Sequence, residues 1–437
     1  MKNWKLAAGL LLTVALPSAG MATDLEVTHW WTSGGEAAAV AELAKAFDAT
    51  GNHWVDGAIA GSGDVARPIM VSRITGGDPM GATQFNHGRQ AEELVQAGLM
   101  RNLDDVAKAE NWAAVVNPPS LLEGCMLDGH VYCVPVNIHA WQWLWLSNKA
   151  FADAGIPVPT NWTELVAAAP ALQKVGIVPL AVGAQGWQQN GLFNNLVLAV
   201  GGKDLYLQFY KEKSADAVSS PEAAKIFAAL ADARAMTKGA NVQDWNQATN
   251  MVITGKAAAQ SMGDWAQGEF QIAGQVAGTD YTCLPGLGMP DPYITTGGDS
   301  FYFPLLSDPE KSKAQETLAS VMMAPATQVA FNLKKGSMPV RGDVDLSTAN
   351  DCMKKGLEIL SAGNVIQSTD ELISPDTTTQ LNDLVTAFFA DDTITPEKLQ
   401  ADFAAVSAQP DRNPRNEGQT PAPRRRRSVP SLPHSSA

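Results

Sequence analysis

Residues 25–51 read LEVTHWWTSGGEAAAVAELAKAFDATG, and they hold a strand, a turn and a capped helix in that order. From Leu25 to Trp30 the side chains alternate, with Leu25 and Val27 on one side and Glu26 and Thr28 on the other, which is the period of a strand. Ser33, two glycines and Glu36 then form a capping box that starts a helix, and Gly51 is placed to stop it. In open α/β sheets, ligands bind beyond the carboxyl ends of the strands, where helix-start amides also point. Trp30 and Trp31 fall at that spot. Neighbours on a strand face opposite ways, so the two indoles cannot both fill one core.

The first residues have the parts of a secretory leader: Lys2 and Lys5, an apolar run from Leu6 to Leu16, and small residues up to Ala22. A cleavable signal peptide over 1–22 places the product in a bacterial periplasm, and no cysteine near the cut suggests a lipid anchor. The apolar run is shorter than the roughly 20 residues a spanning helix needs. Residues 23–408 exceed what one core usually organises, so two domains are expected. The net charge is −14; Lys2, Lys5 and the six arginines against two acids after Gln409 supply +6 of it, so the body carries −20. Such a surface repels nucleic acid, whose affinity rests on phosphate neutralisation.

Strand and helix patterns alternate along the chain, which predicts an α/β fold. Helices are expected at 161–174, 220–238 and 395–408 from their Asn161, Ser220–Pro221 and Thr395–Pro396 starts, with short apolar runs at 178–183 and 257–262 between them. From Gln409 the composition turns to proline, serine and arginine, which predicts a disordered tail over 409–437. Four cysteines in an exported chain favour disulfides. Asp128-Gly129 marks a hairpin, and a three-residue loop over 128–130 would set Cys125 opposite Cys133; Cys283 then pairs with Cys352, with free buried thiols as the alternative.

Motifs for a serine hydrolase, a P-loop, a zincin or a CxxC redox pair are missing, and the six histidines show no ligand spacing. No cofactor or metal is therefore expected. Gly61-Ser-Gly-Asp-Val-Ala66 satisfies the loose form of a dinucleotide loop, but an exported protein has little access to such cofactors, and a flexible glycine loop lining a cleft explains it as well. Asp264 in MGDWA and Asp299 in GGDSF are the candidate carboxylate pair of a glycosidase. A carboxylate that merely accepts from sugar hydroxyls looks the same in sequence. Tryptophan is abundant, and Trp187, Trp245 and Trp265 keep company with Gln, Asn or Asp, the mixture of flat apolar and planar polar groups that suits a sugar. Trp141, Trp143 and Trp145 have the spacing of one strand face and read as a core stripe.

HWWTSGGE, ITGGDP, YCVPVNIHAWQWLWLSNKAFADAGI with PTNWTEL, GWQQN, ITGKAAAQSMGDWA, GGDSF and LKKGSMPVR occur in that order across residues 24–408. In these stretches the chain resembles the solute-binding proteins of carbohydrate ABC importers, extracellular family 1, and most closely the glucose/mannose-binding branch. The resemblance implies a two-lobed periplasmic-binding-protein fold, type II-like, with a hinged cleft between the lobes. It implies an N-terminal lobe of 23–135 with 298–345 returning to it, and a C-terminal lobe of 136–297 with 346–408. It further implies a monomer that is not an enzyme, with a small sugar as ligand and membrane permease subunits as partners. By position, Trp30 and Trp31 are implied as ring contacts, Glu36 and Asp299 as hydroxyl acceptors, Trp265 as a platform from the second lobe helped by Trp245, and Lys335 as a donor. Where relatives carry a basic or imidazole donor this chain has Gln84-Phe-Asn86-His87, so Asn86 or His87 is expected to serve. Asp370 stands where relatives place a histidine, which exchanges a donor for an acceptor and leaves the sugar open. The alternatives are an exported carbohydrate-active enzyme using Asp264 and Asp299, or an oligosaccharide-binding member of the same fold.

Overall fold

The computed structural model describes residues 22–411. Except for Ala22, the leader read over 1–22 lies outside the described residues, as does the tail beyond Asp411. Strand β1 (Asp24–His29) buries Leu25 and Val27, as their alternation requires, and pairs in parallel with β2 (His53–Ala58) and β3 (Ala82–Asn86). The strands Asp299–Tyr302 and Cys133–Pro135 extend this into a five-stranded sheet in the order β2, β1, β3, 299–302, 133–135. A second sheet has four strands in the order Tyr281–Pro285, Trp143–Ser147, Ala257–Ser261 and Val178–Leu180. Helices flank both sheets, giving the two-lobed α/β architecture.

Local signals account for much of this. Helix α1 (Gly34–Asp48) starts at a complete capping box: Ser33 Oγ accepts from the Glu36 amide at 3.4 Å and Glu36 Oε2 accepts from the Ser33 amide at 3.5 Å. Its Ala39, Val40, Leu43 and Phe47 face the core. The Asn161, Ser220 and Thr395 caps begin helices Trp162–Lys174, Pro221–Met236 and Pro396–Ser407, each accepting the expected amide. The apolar runs at 178–183 and 257–262 shorten to strands 178–180 and 257–261.

Among the described residues, three segments carry the chain between the lobes. Residues 136–142 lead from the first sheet to the second, 286–298 lead back, and 336–350 leave again after helix Pro325–Lys335, which packs on α1. They run side by side: Ile138 bridges Met338, and the His139 amide donates to Gly297 O at 2.7 Å.

Both expected disulfides are present, Cys125–Cys133 and Cys283–Cys352, with Cα separations of 5.0 and 6.0 Å. The hairpin differs from expectation. Strands Met126–Leu127 and His130–Val131 leave a two-residue turn in which Asp128 (φ 50°) and Gly129 (φ 85°) are both left-handed. Cys125 therefore faces Tyr132, and the bridge closes diagonally one residue further on. The tail boundary is also later than composition suggests. Asp411 accepts from Arg89, from the amide and hydroxyl of Ser374 and from Thr377, so the chain stays tied to the body as far as Asp411, with Gln409 and Pro410 exposed on the way.

The loop closed by Cys283–Cys352 spans 69 residues against 8 for Cys125–Cys133. In the chain-entropy account, such loops contribute about 4 and about 2.5 kcal/mol respectively. Removing the 283–352 pair by alanine replacement should lower the thermal midpoint more than removing the 125–133 pair, as followed by circular dichroism; the reverse order would show that native-state effects dominate.

Candidate functional site

Between the lobes lies a cavity of about 930 Å³, bordered by residues from both. On the first lobe, the end of β1 supplies its floor. His29 is buried, and burial holds its pKa below the ordinary value, so the imidazole is neutral. It donates from Nε2 to Asp56 at 2.7 Å and accepts the Trp31 amide at Nδ1, 3.2 Å away. This bond turns the chain so that the adjacent indoles diverge. Trp30 borders the cavity with the Arg67 guanidinium 5.7 Å above its ring. Trp31 is only 1 % exposed, its ring 5.6 Å from Phe301 and 5.2 Å from Phe331. Of the two expected ring contacts, Trp31 thus reaches the cavity as part of the core and Trp30 as a partly exposed plate. The glycine loop at Gly61–Asp64 borders the cavity and opens helix α2 (Ser62–Thr75), which explains its glycines without a cofactor.

Gln84 links the backbone to the acid. It accepts from the Trp30 amide at 3.0 Å and donates to Asp299 Oδ1 at 2.7 Å. Asp299 Oδ2 accepts from Asn137 at 2.9 Å and from His139 Nε2 at 2.7 Å. A carboxylate offers about four lone-pair sites, so one position, on Oδ1, stays open to a ligand hydroxyl. Burial works to raise the Asp299 pKa, but the charge and bond of His139, with Lys335 and Asn137, outweigh it and hold the group well below the usual carboxylate range. Glu36 is held by Lys335 Nζ at 2.7 Å, both nearly buried.

The second lobe presents an aromatic wall. Trp265 stands edge-on to Trp141 at 4.7 Å, and Trp187 and Trp245 lie 6.5 and 6.4 Å from it. Close approach makes two glycines necessary. A Cβ on Gly263 would come within 2.0 Å of the Trp265 ring, and one on Gly191 within 2.2 Å of the Trp141 ring. Trp141 corrects the expected core stripe: Trp143 and Trp145 are stacked inside the strand, but Trp141 precedes the strand and borders the cavity. Asn86 also borders it and donates to Asp370 Oδ2 at 2.7 Å, while Gln90 donates to Oδ1 at 3.3 Å. His87 does not. It is fully buried behind the strand, with Nε2 on Thr296 O at 2.9 Å, so of the two expected donors only Asn86 reaches the site.

Asp264 is also away from the cavity lining. It meets His139 Nδ1 at 2.9 Å and accepts the Ala140 amide at 3.0 Å. The proposed glycosidase pair is therefore joined through one imidazole and does not flank the ligand space. His139, Trp141 and Arg67 border the cavity and Gln84 acts on it through Asp299, and the sequence reading assigned none of them to the site. No cluster of metal-ligating side chains occurs among the described residues, and no helix among them is long and apolar enough to cross a membrane.

Two α/β lobes enclosing a cleft with indoles on one wall and amide–carboxylate relays on the other define a two-lobed solute-binding protein. Residues 31–311 match the bacterial extracellular solute-binding proteins, and the chain belongs to that family. A "probable sugar-binding periplasmic protein" of Rhizobium meliloti is 38 % identical over 81 % of this chain and 84 % of its own. Among solved structures, a chitin oligosaccharide binding protein is 21 % identical, with a TM-score of 0.72 over 89 % of this chain and 98 % of its own. A bacterial solute receptor described as preferring β-D-galactopyranose is 22 % identical, with a TM-score of 0.72 over 88 % and 97 %. At these identities the two structures share the fold.

Two stability outcomes follow from this geometry. Trp31→Ala empties a sealed core site and should cost about 3–5 kcal/mol in urea unfolding. Burial, aided by Asp370, raises the Glu371 carboxyl to about 7 against the bond from the Ser368 amide. A raised carboxyl keeps its proton in the native state, so its contribution is full below the unfolded value of about 4.5 and is lost as pH rises through 7. Glu371→Gln keeps the cap acceptor and should gain about 2 kcal/mol over the parent on going from pH 5 to pH 8, read by urea unfolding at both.

Proposed function

We propose that this protein captures a monosaccharide in the periplasm, with glucose and mannose the first candidates, and delivers it to the permease of an ABC importer. One observation carries the reading: a single cavity sets the Trp141–Trp187–Trp245–Trp265 wall of one lobe against Trp30, Asp299 and the Glu36–Lys335 pair of the other. Indoles cover the C–H faces of a pyranose, and oriented carboxylates and amides receive its hydroxyl rim. The printed name of the Rhizobium meliloti relative supports a sugar. In this reading the lobes are 23–135 with 298–345 and 136–297 with 346–408. Ligand bridging both lobes stabilises a closed arrangement of a monomer.

The cavity volume favours a second reading. About 930 Å³ lies at the upper end of the range for small-molecule pockets, about 300–1,000 Å³. A single pyranose would leave much of it to water, so a two-ring ligand is the alternative.

A thermal-shift screen of hexoses, pentoses and disaccharides decides between them. A hundredfold excess of a bound sugar over Kd should add about 2.7 kcal/mol of stability. Glucose or mannose should give the largest shift; a response to disaccharides alone would transfer the protein to the second reading. Trp265→Ala should weaken binding by at least about thirtyfold, equivalent to about 2 kcal/mol. Trp112→Ala, sealed in the first lobe away from the cavity, should leave the affinity of the folded protein unchanged, as measured by titration calorimetry.

A further inference from the structure

His139 lies on the first of the three crossings, in the segment 136–142 that leaves the first sheet for the second. The residue is 8 % exposed and borders the cavity. Nε2 is 2.7 Å from Asp299, on the strand Asp299–Tyr302 of the first lobe. Nδ1 is 2.9 Å from Asp264, which follows the strand Ala257–Ser261 of the second. With both carboxylates ionised, only a ring with a proton on both nitrogens satisfies both contacts; burial opposes this by raising the Asp264 carboxyl against the pull of the His139 bond, and the Asn137 amide nitrogen lies 3.2 Å from Nε2. The Trp265 ring stands edge-on to the same imidazole at 4.7 Å. The backbone around it is fixed as well: the His139 amide donates to Gly297 O, the Ala140 amide donates to Asp264 Oδ2 at 3.0 Å, and the Asp264 amide donates to Ala140 O at 2.9 Å.

We propose that His139 is a positioning residue for the ligand, an imidazolium pivot that donates to one carboxylate from each lobe and so sets Asp299 and the Trp265 platform in register. The inference rests on the reading of this cavity as a sugar site. Asp299 has three of its acceptor positions occupied by Gln84, Asn137 and His139, so the direction of its remaining lone pair is set by these three donors. Gln84 and Asn137 come from the first lobe and its crossing; His139 alone among them also holds a residue of the second lobe. Losing its charge would take one donor from the pair of carboxylates, leaving Asp299 to Gln84 and Asn137 and Asp264 to the Ala140 amide, and would loosen the link between the lobes beside Trp265.

The charged groups facing this ring are Asp299 and Asp264, with Lys335 acting on both carboxylates, Glu36 paired to that lysine, and His87 behind the strand. Burial works to lower the His139 pKa, but the charges and bonds of Asp299 and Asp264 outweigh it and hold it above the ordinary histidine value. The sign follows: the pivot is complete below about 6.5, where even a free imidazole is protonated, and is lost as pH rises through the raised value.

The test uses the full chain, with D-glucose, D-mannose and a panel of pentoses and disaccharides as probes. In the parent protein, affinity by calorimetry should be highest near pH 6.5 and fall at least tenfold once the pH has risen through the raised His139 value, as located by NMR titration. His139→Gln should bind about thirtyfold more weakly at pH 6.5, as expected when one partner of a buried charged pair is removed, and should show a flat pH profile. Asp264→Asn leaves the cavity lining intact and should move the fall in affinity to lower pH. That shift is a readout that lost packing would not produce, and it remains available if His139→Gln does not fold. Nitrogen-15 NMR of the histidine rings without sugar should show His139 doubly protonated at pH 6.5 and losing its proton at lower pH in Asp264→Asn than in the parent. A neutral His139 ring at pH 6.5, or a folded His139→Gln protein with parental affinity and pH profile, would overturn the proposal. If no sugar in the panel binds the parent, the sugar reading fails by itself, and the NMR titration decides whether His139 holds both carboxylates.

Discussion

The contact of Trp31 with Phe301 and Phe331 holds together parts of the first lobe that are far apart in sequence. Phe301 lies on a strand that has returned from the second lobe, and Phe331 on the helix that follows it. One indole thereby welds the start of the chain to a segment some 270 residues later, at a point where each ring loses its exposure to water. Trp30 and Glu36, which border the cavity from this side, flank that weld in the chain. With Trp31 pinned, the backbone turns at His29, Trp30 swings outward, Ser33 begins the helix, and Glu36 arrives opposite Lys335. The strand bearing Phe301 begins with Asp299, so the acid and the indole share one anchor.

Charge in the cleft is compensated where it stands. A body with many more acids than bases places two cations deep in its centre, Lys335 against Glu36 and His139 against Asp264 and Asp299. Unpaired, each buried charge would cost several kcal/mol. Paired, they leave a surface of directed donors and acceptors, in which Gln84 passes the orientation of the Trp30 amide on to Asp299. A ligand meeting such a surface does not have to order it, which is the economy of preorganisation.

The fold was legible where its causes are local. Capping boxes, the period of β1 and the turn pair Asp128-Gly129 act within a few residues, so the helices starting at Gly34, Trp162, Pro221 and Pro396 could be read directly. The site was legible in part, because residue types disclose chemistry and conceal direction. Asn86 and His87 are neighbours on one strand end, and only the pairing of Asn86 with Asp299 across the sheet decides which of them meets the cavity. Trp141 shares the odd spacing of Trp143 and Trp145, but the strand begins after it, and no signal in the sequence marks that onset. His139 was passed over because its two partners lie 125 and 160 positions away, and an isolated histidine carries no spacing to notice.

The last described residue has a practical consequence for anyone cloning this gene. Judged by composition the folded body stops at Ala408, and a minimal version would be cut there. Asp411, however, caps the amide end of the helix Pro375–Ala390 through Ser374 and Thr377 and reaches Arg89 just past β3. It stitches a wall of the cleft to the opposite lobe. Trimming three residues too early would remove that stitch while leaving every recognisable motif in place, and the shortened protein would differ from its parent in how its halves are tied.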